Sequence, residues 1–478
     1  MADSRLLLDA GTRAQLWRKL VEALETYATK LQNWRVTPAL DPARIRSSLS
    51  RFDFCAPVDP CEALDFLVEG LWNFQTHTPH PRYYGLFNPA PTTMGIAGDA
   101  LAAAFNPQLA AWSHSPLAIE IEQHLVRAFG ARFGYDPART DGTFASGGME
   151  ANHTAVLTAL VHKFPEFARR GLRALAAQPV LYVSTEAHHS LLKSARMCGL
   201  GTDAVHQVAV DDNLRLDPKA LASQIARDRG QGLAPFLVAA TAGTTSAGVI
   251  DPLPAIAEIA AREKLWFHVD AAWGGAAALV PELRPLLEGI ERADSIIFDA
   301  HKWLSVPMGA GVYITRNTEI LDKTFRIAQT YMPREAAGLD VIDPFTHSMQ
   351  WSRRAIGLKV FLSLAVAGWD GYAAAIRHMV AMGALLRAQL EASGWQVVNK
   401  TPLPVCCFVD RRHPEGRSEA YLHKIAMHVV ASGKAWISTT RLTGSMPVLR
   451  ACITNYRTQR TDIEALIAAL DEARNQSR

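Results

Sequence analysis

The apolar pattern predicts an α/β protein: a mostly parallel sheet, preceded by a helical arm and followed by a small α+β domain. Three observations carry this. Between about residues 142 and 315, short apolar runs (VLYV, FLVAAT, LWFHV, SIIF, GVYI) alternate with helical segments such as LPAIAEIAAREK. Strands separated by helices imply βαβ units. Ahead of them, Leu16, Leu20, Leu24 and Tyr27 recur at helical spacing. A second helix fits residues 61–75, and HPRYYGLFNPAPTT is too rich in Pro and Gly to be helical. Behind them, a nearly all-helical stretch from about 356 leads into strands in WQVVNK, PVCCFVD, AWISTT and VLRACIT. One helix is expected over Glu419–Ser432 and another from Thr461. The expected division is an arm at 1–92, a large sheet domain at 93–365 and a small domain at 366–478. The arm packs on its own domain or on a partner subunit.

Composition suits a globular enzyme. The 478 residues are 49% hydrophobic and 20% charged. The 49 basic and 46 acidic residues leave a net charge of +3, which makes no case for nucleic acid or an anionic membrane. Six cysteines, at 55, 61, 198, 406, 407 and 452, form no C-x-x-C pair, which argues against a zinc site or disulfide framework. His77 and His80 lack a third ligand, so no metal is expected. The first twenty residues hold no signal-peptide core. No uncharged apolar run reaches membrane-spanning length. A cytoplasmic protein is expected.

Ligands on open α/β sheets bind beyond the carboxyl ends of the strands, and the reactive side chains gather there. LWFHVDAAWGG puts Asp270 after one apolar strand, and SIIFDAHKWLSVP puts Lys302 after another. Buried ammonium is costly, so a lysine between that strand and Trp303 is expected to be paired, neutralised or covalently used. GTFASGGMEAN runs from a strand through Gly147-Gly148 into a helix beginning near Met149. LYVSTEAHHS carries His188 and His189, and FLVAATAGTTSAG carries Thr244 and Thr245. Taken singly, each has a plainer use: the lysine as an ion-pair partner, the aspartate as a helix cap, the glycines as a turn, the histidines as surface or cap residues. Their shared edge favours the joint reading. Pyridoxal 5'-phosphate needs the whole set: a lysine, an acid at its pyridinium nitrogen, helix N-terminal N–H groups for its phosphate and a flat group over its ring. Lys302, Asp270, Gly147-Gly148 and His188 fill those roles. GLGTDA, from Gly199, imitates a dinucleotide fingerprint but follows a helical stretch rather than a strand.

On these motifs the chain resembles the group II pyridoxal-phosphate decarboxylases, which include aromatic amino acid, histidine, glutamate and cysteine sulfinate decarboxylases. The resemblance runs from HPRYYGLFNPAPT to LRACITNYRT. Its most specific part is HVDAAWGG followed about thirty residues later by DAHKWL, with GGMEAN and AHHS in support. It implies a fold-type I (aspartate aminotransferase-like) homodimer with shared active sites that converts an L-amino acid to the amine and carbon dioxide. It implies that Lys302 carries the cofactor, Asp270 faces the ring nitrogen, Ala272 touches the ring from below and His188 stacks above. Thr245 is then near the phenolic oxygen, and Gly147, Gly148, Met149 and His301 serve the phosphate.

Two departures from the family pattern matter. A hydroxyl residue often stands where this chain has Met149, which leaves one phosphate contact to backbone N–H alone. In GLDVIDPFTHSMQWSRR, the family's mobile loop usually carries a tyrosine that protonates the carbon losing carbon dioxide. Phe345 aligns there, unless the alignment slips by one residue, and Tyr331 in AQTYMP is the candidate substitute donor. Relatives with phenylalanine at this point include aldehyde synthases, which also consume oxygen, so an aldehyde is the alternative product. The non-enzyme alternative, a cofactor-binding regulatory protein, is opposed by the joint presence of Lys302, Asp270 and His188. The pocket is expected to take Leu86 and Phe87 from the arm and residues 108–112, in cis or across a dimer. Aromatic decarboxylases tend to have a phenylalanine near Ala110, so a roomier pocket is expected. Phe87 and Trp112 favour an aromatic or apolar substrate. Arg450 is a candidate for a substrate carboxylate, and equally an exposed strand arginine or an interdomain ion pair.

Overall fold

The computed structural model describes residues 6–328, Met332, Ala336 and 338–477. Seven strands form the main sheet: β1 (Asp141–Ala145), β2 (Pro179–Ser184), β3 (Val205–Val208), β4 (Ala234–Thr241), β5 (Trp266–Asp270), β6 (Ser295–Asp299) and β7 (Gly311–Thr315). Their order is β1-β7-β6-β5-β4-β2-β3. The neighbours from β6 through β5, β4 and β2 to β3 pair in parallel, whereas β7 is antiparallel to both β6 and β1. The exception has a cause in the chain. A parallel neighbour needs a crossover of roughly a dozen residues or more, usually helical. The link from β6 to β7 is the helix-free loop 300–310. Two antiparallel pairings in succession restore direction. The carboxyl ends of β1, β6, β5, β4 and β2 therefore share one edge.

Helices cover both faces. Alternate side chains of β4 join two cores: Leu237 and Ala239 pack with Ala151 and Ala155 of the helix Gly148–Lys163, while Val238 and Ala240 pack with Leu253 and Ile256 of the helix Leu253–Glu263. Burial on both faces is why β5 and β6 read as apolar runs. The edge strand β3 is four residues long, with the adjacent polar pair His206-Gln207 less buried than its two valines, so it did not stand out in the sequence.

The C-terminal part holds a second, antiparallel sheet of β8 (Trp395–Val397), β9 (Val405–Asp410), β10 (Ser438–Leu442) and β11 (Met446–Cys452), in the order β10-β11-β9-β8. The long helix Gly357–Ala392 leads to it and is broken at Gly368 (φ 63°, ψ 174°), a left-handed position that suits glycine. At the other end, the arm helices Ala10–Lys30 and Pro60–Asn73 are capped by Asp9 and Asp59 and pack on each other. Neither has a buried residue, and Trp17, Val21, Leu24, Leu67 and Leu71 are exposed. Among the described residues, no helix is long and apolar enough to cross a membrane.

Candidate active site

The carboxyl edge begins with two carboxylates. Asp270 ends β5 and is buried. Its Oδ2 accepts a hydrogen bond from Asn152 Nδ2 (2.9 Å) and its Oδ1 accepts one from the Ala272 N–H (3.1 Å). Asp299 ends β6, is also buried, and lies 3.0 Å from Lys302 Nζ. The apolar run breaks into Asp-Ala-His-Lys because the chain turns there. The Lys302 N–H donates to Asp299 O, and the Ala300 N–H donates to Ala310 O. Trp303 then returns to the core beside Trp273, with ring centroids 5.4 Å apart. The lysine is thus paired, yet 24% of its side chain stays open.

Space at the next corner demands glycine. Gly147 is extended and precedes the helix Gly148–Lys163, whose first turn has no side-chain cap. A Cβ on Gly148 would lie 2.8 Å from Asp299 Oδ2, and one on Gly311 would lie 2.7 Å from Gly147 Cα. His301 is buried nearby, and its Nδ1 accepts the Ala310 N–H (3.1 Å), which leaves Nε2 to carry the proton of the neutral ring. Burial lowers its pKa, and Lys302 lowers it further against the opposing pull of Asp299. Met149 is half-buried in the uncapped turn.

The remaining strand ends complete the edge. His188 follows β2; its Nδ1 accepts the Ser190 N–H (3.2 Å). His188 is exposed, yet desolvation by the surrounding protein lowers its pKa; Asp270 raises it and Lys302 lowers it. Thr244 and Thr245 follow β4 in a turn, where Thr245 O accepts from Arg450 Nε (2.9 Å). Arg450 Nη1 donates to Gly85 O (2.7 Å), and Nη2, also buried, has no hydrogen-bond partner among the described residues. Arg450 is neither an exposed strand residue nor half of an ion pair: it is 3% exposed and spends its donors on carbonyls. Phe87 lies between the two cations, its centroid 5.0 Å from the Arg450 guanidinium and 5.9 Å from Lys302 Nζ. It stacks on Trp273 at 4.7 Å, and Leu86 beside it is exposed.

Trp112, expected in the pocket, and Phe345, expected on the catalytic loop, make their described contacts with residues 110, 120, 343 and 351. The Trp112 N–H donates to Asp343, and its Nε1 donates to Glu120 (2.9 Å). Phe345 is not in an open loop. It is buried in the turn Pro344–Thr346, its N–H on Ala110 O (3.2 Å) and its ring 5.0 Å from Trp351. The contacts described for Trp112 and Phe345 do not reach Lys302. Tyr331 lies outside the described residues. Sequence reasoning missed Asn152, Ser190, His268 and Asp299. Asp299 had a signal, as a charge closing an apolar strand; His268 had another, as a polar residue sharing a strand face with Asp270.

Lysine, paired carboxylates, imidazoles and an uncapped helix start, on the carboxyl edge of a doubly covered sheet, define a fold-type I pyridoxal-phosphate enzyme. Within that class the chain belongs to the pyridoxal-dependent decarboxylases: residues 63–411 match the family model described as the pyridoxal-dependent decarboxylase conserved domain. It is 31% identical over 461 residues to the aromatic-L-amino-acid decarboxylase of Bacillus atrophaeus, covering 95% of this chain and 93% of that protein. It is 33% identical over 339 residues to the cysteine sulfinic acid decarboxylase of Mus musculus, covering 70% and 68%. The crystal structure of mouse CSAD superposes with a TM-score of 0.91 at 26% identity, over 98% of this chain and 99% of that one. The chain is a carboxy-lyase with pyridoxal 5'-phosphate as its cofactor, which sets aside the regulatory alternative. The residues fit that group: the open Lys302 amine, the uncapped turn at Gly148 and the unpartnered Arg450 Nη2 all border the same edge.

Proposed function

We propose that this decarboxylase converts an aromatic or apolar L-amino acid to its amine and carbon dioxide, as a homodimer whose subunits share active sites. The observation that carries the reading is the convergence of Lys302, Asp270, His188 and Arg450 beside the apolar wall of Leu86 and Phe87. When bound, pyridoxal phosphate supplies the sink for the electron pair released as the bond from Cα to the carboxylate breaks. Lys302 holds the cofactor, with Asp299 orienting its free amine. Asp270 would accept from the ring nitrogen and keep it protonated, and Ala272 would contact the ring. His188, whose pKa desolvation lowers, would contact the ring. The backbone N–H groups of Gly147, Gly148 and Met149 meet the phosphate with His301, and Thr245 serves the phenolic oxygen. Arg450 Nη2 takes the substrate carboxylate. The Phe87–Trp273 stack keeps water from one side of Lys302.

Trp112 and Phe345 cluster with Ala110, Asp343 and Trp351, and we assign this cluster to a neighbour's site. The apolar side chains exposed along the arm favour the same partner, a second copy. One observation favours an oxygen-dependent aldehyde product instead: the ring of Phe345 has no hydroxyl, and the neighbouring Thr346 Oγ1 is engaged by Asp343 O and His347 Nδ1. A panel of amino acids scored for carbon dioxide, amine, aldehyde and peroxide tests both. Amine from aromatic or apolar substrates supports the first reading; aldehyde with equimolar peroxide establishes the second. Turnover confined to acidic substrates contradicts the assigned pocket.

A further inference from the structure

Trp266, His268 and Asp270 alternate along β5, so their side chains share the face covered by the helix Gly148–Lys163. His268 is in register with Ser295 of β6. Between them runs an unbroken series of hydrogen bonds. Trp266 Nε1 to Ser295 Oγ is 2.9 Å, Ser295 Oγ to His268 Nδ1 is 2.8 Å, His268 Nε2 to Asn152 Oδ1 is 2.9 Å, and Asn152 Nδ2 to Asp270 Oδ2 is 2.9 Å. Asn152 Nδ2 also donates to Ser190 Oγ (2.8 Å). All six side chains are buried.

The directions follow from the carboxylate. Asp270 Oδ2 accepts from Asn152 Nδ2, which turns Asn152 Oδ1, an acceptor, toward His268. His268 therefore carries a proton on Nε2 and donates it to Asn152 Oδ1. Nδ1 of the neutral ring is then an acceptor, so Ser295 Oγ donates to it and accepts from the Trp266 indole N–H. A buried polar group without a partner is costly, so reversing one link would orphan another.

We propose that Trp266, Ser295, His268 and Asn152 form a one-way relay of positioning residues that holds Asp270 as an oriented, acceptor-only carboxylate for the cofactor's ring nitrogen. The proposal rests on the assignment of Asp270 to that nitrogen. It gives a buried histidine of the HVDAA motif a task distinct from packing. A glutamine at 268 can reproduce both links, with an amide N–H toward Asn152 Oδ1 and an amide oxygen toward Ser295. A phenylalanine of similar size reproduces neither.

The test titrates pyridoxal phosphate into apo wild type, His268→Phe, His268→Gln, Ser295→Ala and Asp270→Asn. It reads the dissociation constant and the pH midpoint of the bound cofactor's visible band. His268→Phe is expected to weaken binding at least tenfold and move the midpoint; Ser295→Ala does the same to a lesser degree. His268→Gln restores both toward wild type. If Asp270→Asn changes neither quantity, the underlying assignment is wrong. If Asp270→Asn changes them while His268→Phe and Ser295→Ala do not, or while His268→Gln is as impaired as His268→Phe, the relay is wrong and the assignment stands. Should His268→Phe fail to fold, Ser295→Ala against wild type decides by the same readings.

Discussion

Replacing Arg450 with methionine separates substrate recognition from support of the site. Two of the three guanidinium nitrogens are already committed, Nε to Thr245 O at 2.9 Å and Nη1 to Gly85 O at 2.7 Å. That leaves Nη2, buried and unpartnered, for one charge-assisted contact with the substrate rather than a two-pronged one. A hydrogen bond to a charged group is worth about 1.5–3 kcal/mol net. With about 1.4 kcal/mol per factor of ten, the loss in amino-acid affinity is roughly ten- to a hundredfold. The variant also releases two backbone carbonyls, so a fall in activity alone proves little. The discriminating assay compares binding of the amino acid with inhibition by its own decarboxylated amine, which lacks the carboxylate. Arg450→Met is expected to weaken the amino acid by that factor and leave the amine within about twofold. Equal weakening of both would refute the reasoning and leave Arg450 a purely structural residue.

Three further outcomes follow from the same geometry. Gly148→Ala sets a methyl group 2.8 Å from Asp299 Oδ2; overpacking of this kind costs about 1–3 kcal/mol, and it is expected to lower both the unfolding temperature and cofactor affinity, with unchanged values in thermal melts and titrations counting against it. Asp270→Asn with cofactor bound is expected to lose on the order of a hundredfold or more in kcat, as removal of one preorganised electrostatic group does; near-normal turnover removes its assigned role. Burial pushes the His268 pKa down to about 4 from 6.5, against the opposing pull of Asp270. A depressed base stabilises the fold above its unfolded pKa and loses that contribution as pH falls, here between about 6.5 and 4, to the extent of about 3 kcal/mol at 1.36 kcal/mol per pH unit. Denaturant titrations should show His268→Gln losing less stability than wild type across that window, and parallel curves would contradict the assignment.

The sequence made Asp270 and Lys302 visible because each stands at or just beyond the end of a largely apolar strand, and burial on both faces is what makes such strands conspicuous. The same logic exposed the glycines, although it is the approach of Asp299, 151 positions further on, that forbids a side chain at Gly148. Asn152 stayed hidden because a polar residue in the second turn of a helix is unremarked until its partner is known, and His268 is 116 positions away. The antiparallel β7 reflects the shortness of the 300–310 loop, a matter of connection rather than composition. Trp112 was expected in the pocket with residues 108–112, in cis or across a dimer; its hydrogen bonds to Asp343 and Glu120 could not be read from the sequence, because Asp343 is 231 positions away. Arg450 was legible as a strand arginine but not as a buried one, since its acceptors are carbonyls of the arm and of the β4 turn.

The central claim is that Lys302 is the residue that carries the cofactor, and one chemical measurement addresses it directly. Holoenzyme is reduced with borohydride, digested with trypsin and mapped by mass spectrometry. The account predicts a single pyridoxyl adduct, on the peptide that contains Lys302, and its loss together with the visible absorbance in Lys302→Ala. An adduct on a different lysine, or visible absorbance and borohydride labelling that persist in Lys302→Ala, would contradict it.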